Sequence, residues 1–352
     1  MFRLGILATL PRLVTPGSHF LRTIILSRML SPRDLGVAIA LTVLLSTAEL
    51  ISDFGLDRYL ISRDPSEDAE ALAAAHALQL IRALVLALII WATAPLIAEL
   101  FTEPGLGSDF RWCAAILMIR DLAHLEIRQM QRGFLYLPEA RAILFARAAA
   151  LLAVYPAARA FGDHRAMIAS LLVDAVVYTT ASHITARSRY RAVTTDRRIW
   201  REALAYSLPL TLNGIGLAAS SQLDRALVSR WFGVATLALY SVVLNLAVVP
   251  SNIIGSVLSL FSMSLLTQMS AGEERADRNY QTVFWAHAVA AVAYAIAVAT
   301  TLDLLAPIVY GGSYTVGAST VAEPGPLCCR HAGRPAAVDA IARHDRMGDQ
   351  MD

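Results

Sequence analysis

Nine long, mostly apolar stretches, parted by short polar connectors, leave this chain few ways to fold. They run over Leu4–Leu30, Leu35–Phe54, Ala69–Leu100, Phe110–Ile127, Ala140–Ala160, Ala166–Ala186, Ala203–Val228, Val234–Thr267 and Tyr280–Tyr310. About 20 such residues, rising 1.5 Å each as a helix, cross ~30 Å of hydrocarbon. The second and ninth stretches are clean, whereas the first and fourth carry several charges. Pro32-Arg33-Asp34, Pro104 to Gly107 and Gly162-Asp163 are turn-forming breaks between them. Composition agrees: 56% of the residues are apolar, 16% are charged and the mean hydropathy is +0.53. A soluble domain carries about 25% charge, so the surplus apolar surface needs lipid. Long helices with short loops make an all-α, polytopic transmembrane bundle rather than a barrel.

Arginine placement predicts the orientation. The odd connectors hold few: Arg28 and Arg33, then Arg111, then Arg159 and Arg165, then Arg225 and Arg230. The even ones hold more: Arg58 and Arg63; Arg128, Arg132 and Arg141; Arg275 and Arg278; and six between Arg187 and Arg201. The even connectors and the N-terminus are therefore expected in the cytoplasm. The Arg187–Glu202 segment reads as a topology determinant, or as a basic helix lying on anionic lipid. Leu4–Leu10 is too short, and too soon interrupted by Pro11 and Arg12, for a signal peptide, so the first span is expected to stay in the mature protein. Cys113, Cys328 and Cys329 form no metal or disulfide pattern. A formal net charge of +2 gives no reason to expect nucleic acid.

Shifted by 202, the chain matches itself. Leu26-Ser27-Arg28-Met29-Leu30 meets Val228-Ser229-Arg230-Trp231-Phe232, and Leu35-Gly36-Val37-Ala38 meets Leu237-Ala238-Leu239-Tyr240. Each block sits between one long apolar helix and the next, so the first and seventh spans correspond. Two six-helix halves with a path between them are a recurring transporter plan.

These motifs carry a family resemblance. Leu26 to Gly36 resembles the first connector of bacterial polysaccharide flippases of the MOP superfamily, and Ser52-Asp53-Phe54-Gly55-Leu56 resembles that family's next conserved segment. Ser220-Ser221-Gln222-Leu223-Asp224, Ser229-Arg230 and Leu239-Tyr240 are similar to its seventh-span region. The resemblance covers residues 15 to 310 or so. It implies twelve or more helices in two lobes around a cationic cavity, and the flipping of undecaprenyl-pyrophosphate-linked oligosaccharide across the inner membrane. Membrane lipid, the lipid-linked sugar and other polysaccharide assembly proteins would be its partners, with no cofactor. On this reading residues 1–186 form a six-helix lobe, 187–202 a basic cytoplasmic linker and 203–310 a partial second lobe of three helices. Residues 311–352 form a polar, disordered tail that looks truncated or frameshifted.

Ionisable groups inside spans are costly and usually face a cavity or a partner. Arg12, His19 and Arg22 make one polar stripe on the first span, which Pro11 and Pro16 should interrupt. His76, Gln79 and Arg82 share a face of the third; Arg120, Asp121 and His124 sit on the fourth and Arg147 on the fifth. Arg12, Arg22, Arg82, Arg120 and Arg147 are expected in a shared cavity that grips a lipid pyrophosphate, which the guanidinium fork suits. The competing reading pairs them with Glu49, Asp53, Asp121 and Asp174. Asp53 and Asp224 are ion-coupling candidates, although Asp224 can simply pair with Arg225.

A multidrug or cation antiporter of the same superfamily is the nearest alternative, followed by an inactive fragment. A membrane-embedded polymerase or ligase would want a large outer loop, and every odd connector is short. His344 to Asp349 has acyltransferase-like spacing but falls in the polar tail. No phosphate-binding loop is present, and every basic residue is arginine, so ATP hydrolysis is not expected.

Overall fold

Among the described residues every regular element is a helix, as the apolar runs require. The computed structural model describes residues 2–52, 55–62, 68–192, 196–267 and 273–311. The helices are α1 (Phe2–Ser27), α2 (Pro32–Ile51), α3 (Leu56–Ser62), α4 (Asp68–Leu100), α5 (Gly107–Asp121) and α6 (Glu126–Gln129). They continue with α7 (Leu137–Phe161), α8 (Arg165–Thr185), α9 (Arg197–Phe232), α10 (Val234–Thr267) and α11 (Glu273–Tyr310). Asp53 and the tail from residue 312 onward lie outside the described residues.

Local chemistry sets the helix ends. Ser31 caps α2, its hydroxyl accepting the Asp34 N–H at 3.1 Å, with Pro32 in the first turn and Asp34 at the positive end of the helix dipole. Gly162, at φ 68°, stops α7 in the left-handed conformation that glycine adopts without strain. Asp196 starts α9 by accepting the N–H groups of Arg198 at 2.8 Å and Ile199 at 3.4 Å. Residues 197–202, expected in the linker, are thus the first turns of α9.

Two expectations need correcting. Pro11 and Pro16 lie inside an unbroken α1. Each removes one N–H, but the neighbouring turns keep their bonds, and packing on α7 holds the helix. The fourth span, expected to reach Ile127, ends at Asp121 because the chain reverses there, with Leu122 N–H bonded to the Ile119 C=O at 3.3 Å.

Nine spans were expected. Six described segments, in α2, α4, α7, α8, α10 and α11, are long and apolar enough to cross a bilayer. α5 is only 15 residues long, and polar residues dilute the apolar runs of α1 and α9. The chain is a multi-pass membrane protein.

α2 is the central post, packed against α5, α8, α9 and α10, while α1 packs on α7 and α10, and α4 on α5 and α9. Gly36 lets α2 approach α10 closely, since a Cβ there would lie 1.9 Å from the Val234 carbonyl oxygen. Around it Leu26, Leu35, Leu41, Phe110, Leu237 and Tyr310 form one buried core. By contrast none of Gln281–Leu302 of α11 is buried among the described residues, although the stretch is apolar enough to cross a bilayer.

Candidate functional site

A cavity of about 580 Å³ opens among helix ends that the sequence assigns to even connectors. Its walls come from the last turns of α2 and α5, the first half of α4, the turn after α5, the middle of α1 and Gln222 of α9. Thus α2, cored through Leu35 and Leu41, brings Ser46 and Glu49, with Ser52 just past its end, to the cavity.

Three arginines line this space, and each has a carboxylate. Arg82 Nη2 lies 2.9 Å from Asp121 Oδ1, and its Nη1 donates to the Ser52 carbonyl. Arg120 donates to Glu49, tying α5 to α2, and its guanidinium lies 6.0 Å from the Tyr178 ring centroid. Arg128 is 3.5 Å from Glu139 and donates to the Tyr178 hydroxyl at 3.4 Å. Gln79 braces the wall by donating to the Asp121 carbonyl at 2.6 Å. His19, on the stripe expected of α1, also faces the cavity. Such a lining offers forked donors beside carboxylate acceptors. It can take an anionic group by partner exchange, and sugar hydroxyls by direct hydrogen bonding.

Of the five arginines expected to share a cavity, the structure brings two, Arg82 and Arg120, to its wall. Arg22 is fully buried between α1 and α8, with Nη1 4.0 Å from the Met167 sulfur. Arg147 is buried against Asp174 at 2.7 Å, between α7 and α8. Neither lines the cavity. The side chain of Arg12 lies outside the described residues. Arg128 was legible only as a connector charge, because nothing in the sequence shows that the fourth connector folds back under α4. Asp224 stands two residues from the cavity-lining Gln222. It accepts from the Tyr240 hydroxyl at 2.6 Å, while Arg225 turns to Gln222 at 3.4 Å. Asp224 thus takes Tyr240 as its hydrogen-bond partner, where α10 packs on α9, while the charge of neighbouring Arg225 still acts on it.

Behind the cavity sits a histidine cluster. His76 and His124 have ring centroids 4.8 Å apart, His124 and His183 5.5 Å, and Tyr190 packs 4.3 Å from His76. His76 Nε2 accepts the Leu125 N–H at 3.0 Å, so its Nδ1–H is the donor to the Arg191 carbonyl, also at 3.0 Å. Alongside, Glu126 accepts the N–H groups of Arg187 at 2.9 Å and Ser188 at 2.8 Å, and the Ser188 hydroxyl at 2.7 Å. Partial burial raises the Glu126 pKa, but these donors outweigh it and hold the carboxyl below its ordinary value. The start of the basic linker is thereby clamped to the base of the cavity wall.

Comparison with known proteins agrees with this architecture. A family described as "Polysaccharide biosynthesis protein" matches residues 25–318. A solved structure titled "Inward-facing conformation of a multidrug resistance MATE family transporter of the MOP superfamily" is similar, with a TM-score of 0.62 and 17% identity. The match covers 90% of this chain and 77% of that one. No curated protein gives a match.

Proposed function

Because the chain belongs to the polysaccharide biosynthesis protein family, we propose that it is a transporter that carries a lipid-linked oligosaccharide across the bacterial inner membrane. The observation that carries this reading is the polar cavity, lined by Arg82, Arg120 and Arg128, inside a mostly apolar helical bundle of the MOP fold. Gathering charged groups within a membrane bundle is costly, and a cavity for a polar headgroup is a usual reason. The lipid tail needs no pocket, since it can stay in the bilayer.

Arg82 and Arg120 are the residues we assign to the pyrophosphate. Each is already neutralised, so the incoming anion must displace Asp121 or Glu49. Guanidinium suits this exchange, because it keeps its charge and accepts bidentate phosphate as readily as bidentate carboxylate. Arg22 and Arg147, buried away from the cavity, take a structural role instead. With the even connectors in the cytoplasm, the cavity faces the side on which a lipid-linked sugar would be loaded. Other polysaccharide assembly proteins would supply and consume that substrate, and the step itself breaks no covalent bond.

Flipping of a fluorescent lipid-linked oligosaccharide in proteoliposomes tests this. Wild-type chain should translocate it, and Arg82→Ala and Arg120→Ala should each lower the rate about tenfold or more, the worth of one charge-assisted pair. Arg159→Ala, an exposed change outside the cavity, should match wild type. Wild type that moves no lipid-linked sugar, or both cavity variants working at full rate, overturns the proposal. Glu49 and Asp121 in the lining favour a second reading as a carrier of organic cations. Uptake of a cationic dye by wild type, without sugar-lipid flipping, would establish that instead.

A further inference from the structure

The repeat read from the sequence has a physical counterpart at the end of the bundle away from the cavity. Ser27-Arg28 lies at the end of α1 and Ser229-Arg230 in the last turn of α9, 202 positions later. Both serines are buried, and both reach into the other copy of the repeat. The Ser27 hydroxyl lies 3.1 Å from the carbonyl of Tyr310, the last residue of α11, and is shared with Ile24 of its own helix at 2.9 Å. The Ser229 hydroxyl lies 3.3 Å from the carbonyl of Phe101, the residue after α4. Both receiving residues are buried aromatics, and both are followed by a left-handed residue, Thr102 at φ 60° and Gly311 at φ 102°. Under the repeat α1 corresponds to α9 and α4 to α11, so the two contacts join corresponding helices, with the receiving residues 209 rather than 202 positions apart.

The last carbonyls of a helix have no donor within it, so a group from outside must satisfy them. Ser27 and Ser229 do so across the boundary between the copies. Arg28 adds to one side. It donates to Val309 at 3.1 Å and to Ile308 at 2.6 Å, placing its charge at the negative end of α11. Arg230 is exposed, so the two grips are unequal. The contact of Gly36 with Val234 seals the same junction from α2 to α10.

We propose that this junction is the gate of the transport path on the α1–α2 connector side. Two repeat-related grips hold it shut, Ser27 with Arg28 on the end of α11 and Ser229 on the end of α4, and both release together. The proposal rests on the transporter reading for one point only, that the junction opens at some stage of a cycle. The two ends of the path then alternate, with the cavity reached from the far side while the grips hold.

Labelling with a membrane-impermeant maleimide tests it without any substrate. Thr15→Cys, on the cavity wall, is the reporter, in a chain whose Cys113, Cys328 and Cys329 are alanine. Gly105→Cys, in the connector after α4, identifies vesicles that present the gate side. From that side Thr15→Cys should label slowly in the parent. Ser27→Ala and Ser229→Ala should each speed it about two- to tenfold, the population shift of one hydrogen bond. Arg28→Ala should do more, and the double serine variant should approach the product of the single effects. Ser27→Thr and Ser229→Thr, which keep the hydroxyl, should label like the parent, and their behaviour separates loss of the bond from misfolding. The gate is refuted if the double alanine variant labels like the parent from this side, or if the threonine variants label as fast as the alanine ones. A chain that shows the expected labelling but flips no sugar-lipid keeps its gate and loses only the assigned cargo.

Discussion

Arg147 and Asp174 show what a single buried pair does in this bundle. Both are almost wholly buried at 2.7 Å, with fully buried Arg22 on the neighbouring α1. Removing one member leaves an uncompensated charge, whereas replacing both removes the desolvation cost with the attraction. Arg147→Ala should therefore destabilise by about 3–5 kcal/mol, and Arg147→Met with Asp174→Leu should recover most of it. Thermal unfolding in detergent distinguishes the two, and equal loss in both would show that the pair itself holds the helices. The sequence makes part of this legible, because Glu49, Asp121 and Asp174 are among the few carboxylates within the apolar runs. Which arginine meets which is not legible. Helix rotation decides that, and rotation is fixed by contacts such as Gly36 on Val234, between residues far apart in the chain.

Among the elements, the linker shows how a loop is tied down. Glu126 of α6 gathers three donors from Arg187 and Ser188, and its pKa falls as a result. A carboxyl depressed in the folded state adds stability above its unfolded pKa and loses it as the pH drops through the lower folded value. Hydrogen exchange at residues 187–190, corrected for intrinsic rates, should stay flat from pH 8 to about 5 and quicken below about 4. Glu126→Gln should exchange fast throughout, and a flat wild-type profile down to pH 3 would remove the clamp from consideration. Apolar length and short connectors made the helices readable, and α7 and α8 fall within a few residues of expectation. α5 did not, because its end is set by a chain reversal under α4. That reversal depends on His76 accepting the Leu125 N–H, a bond between residues 49 positions apart.

For the whole molecule, the cavity at one end and the sealed junction at the other define a single closed-and-open polarity. The sequence foretold a helical bundle; it did not tell which end is shut. That depends on where α4 and α11 stop, and each is met there by a residue from the other copy. α11 carries a further consequence. Its tip is held by Ser27 and Arg28, and Tyr294 holds to the Ala247 carbonyl of α10, yet none of Gln281–Leu302 is buried among the described residues. Such a helix answers to hydrophobic mismatch, tilting when the surrounding acyl chains are short. Tilt would draw the Tyr310 carbonyl off the Ser27 hydroxyl, so maleimide should reach Thr15→Cys faster in short-chain than in long-chain phosphatidylcholine. The thickness of the host bilayer thereby becomes a mechanical input to the protein, sensed at one helix tip.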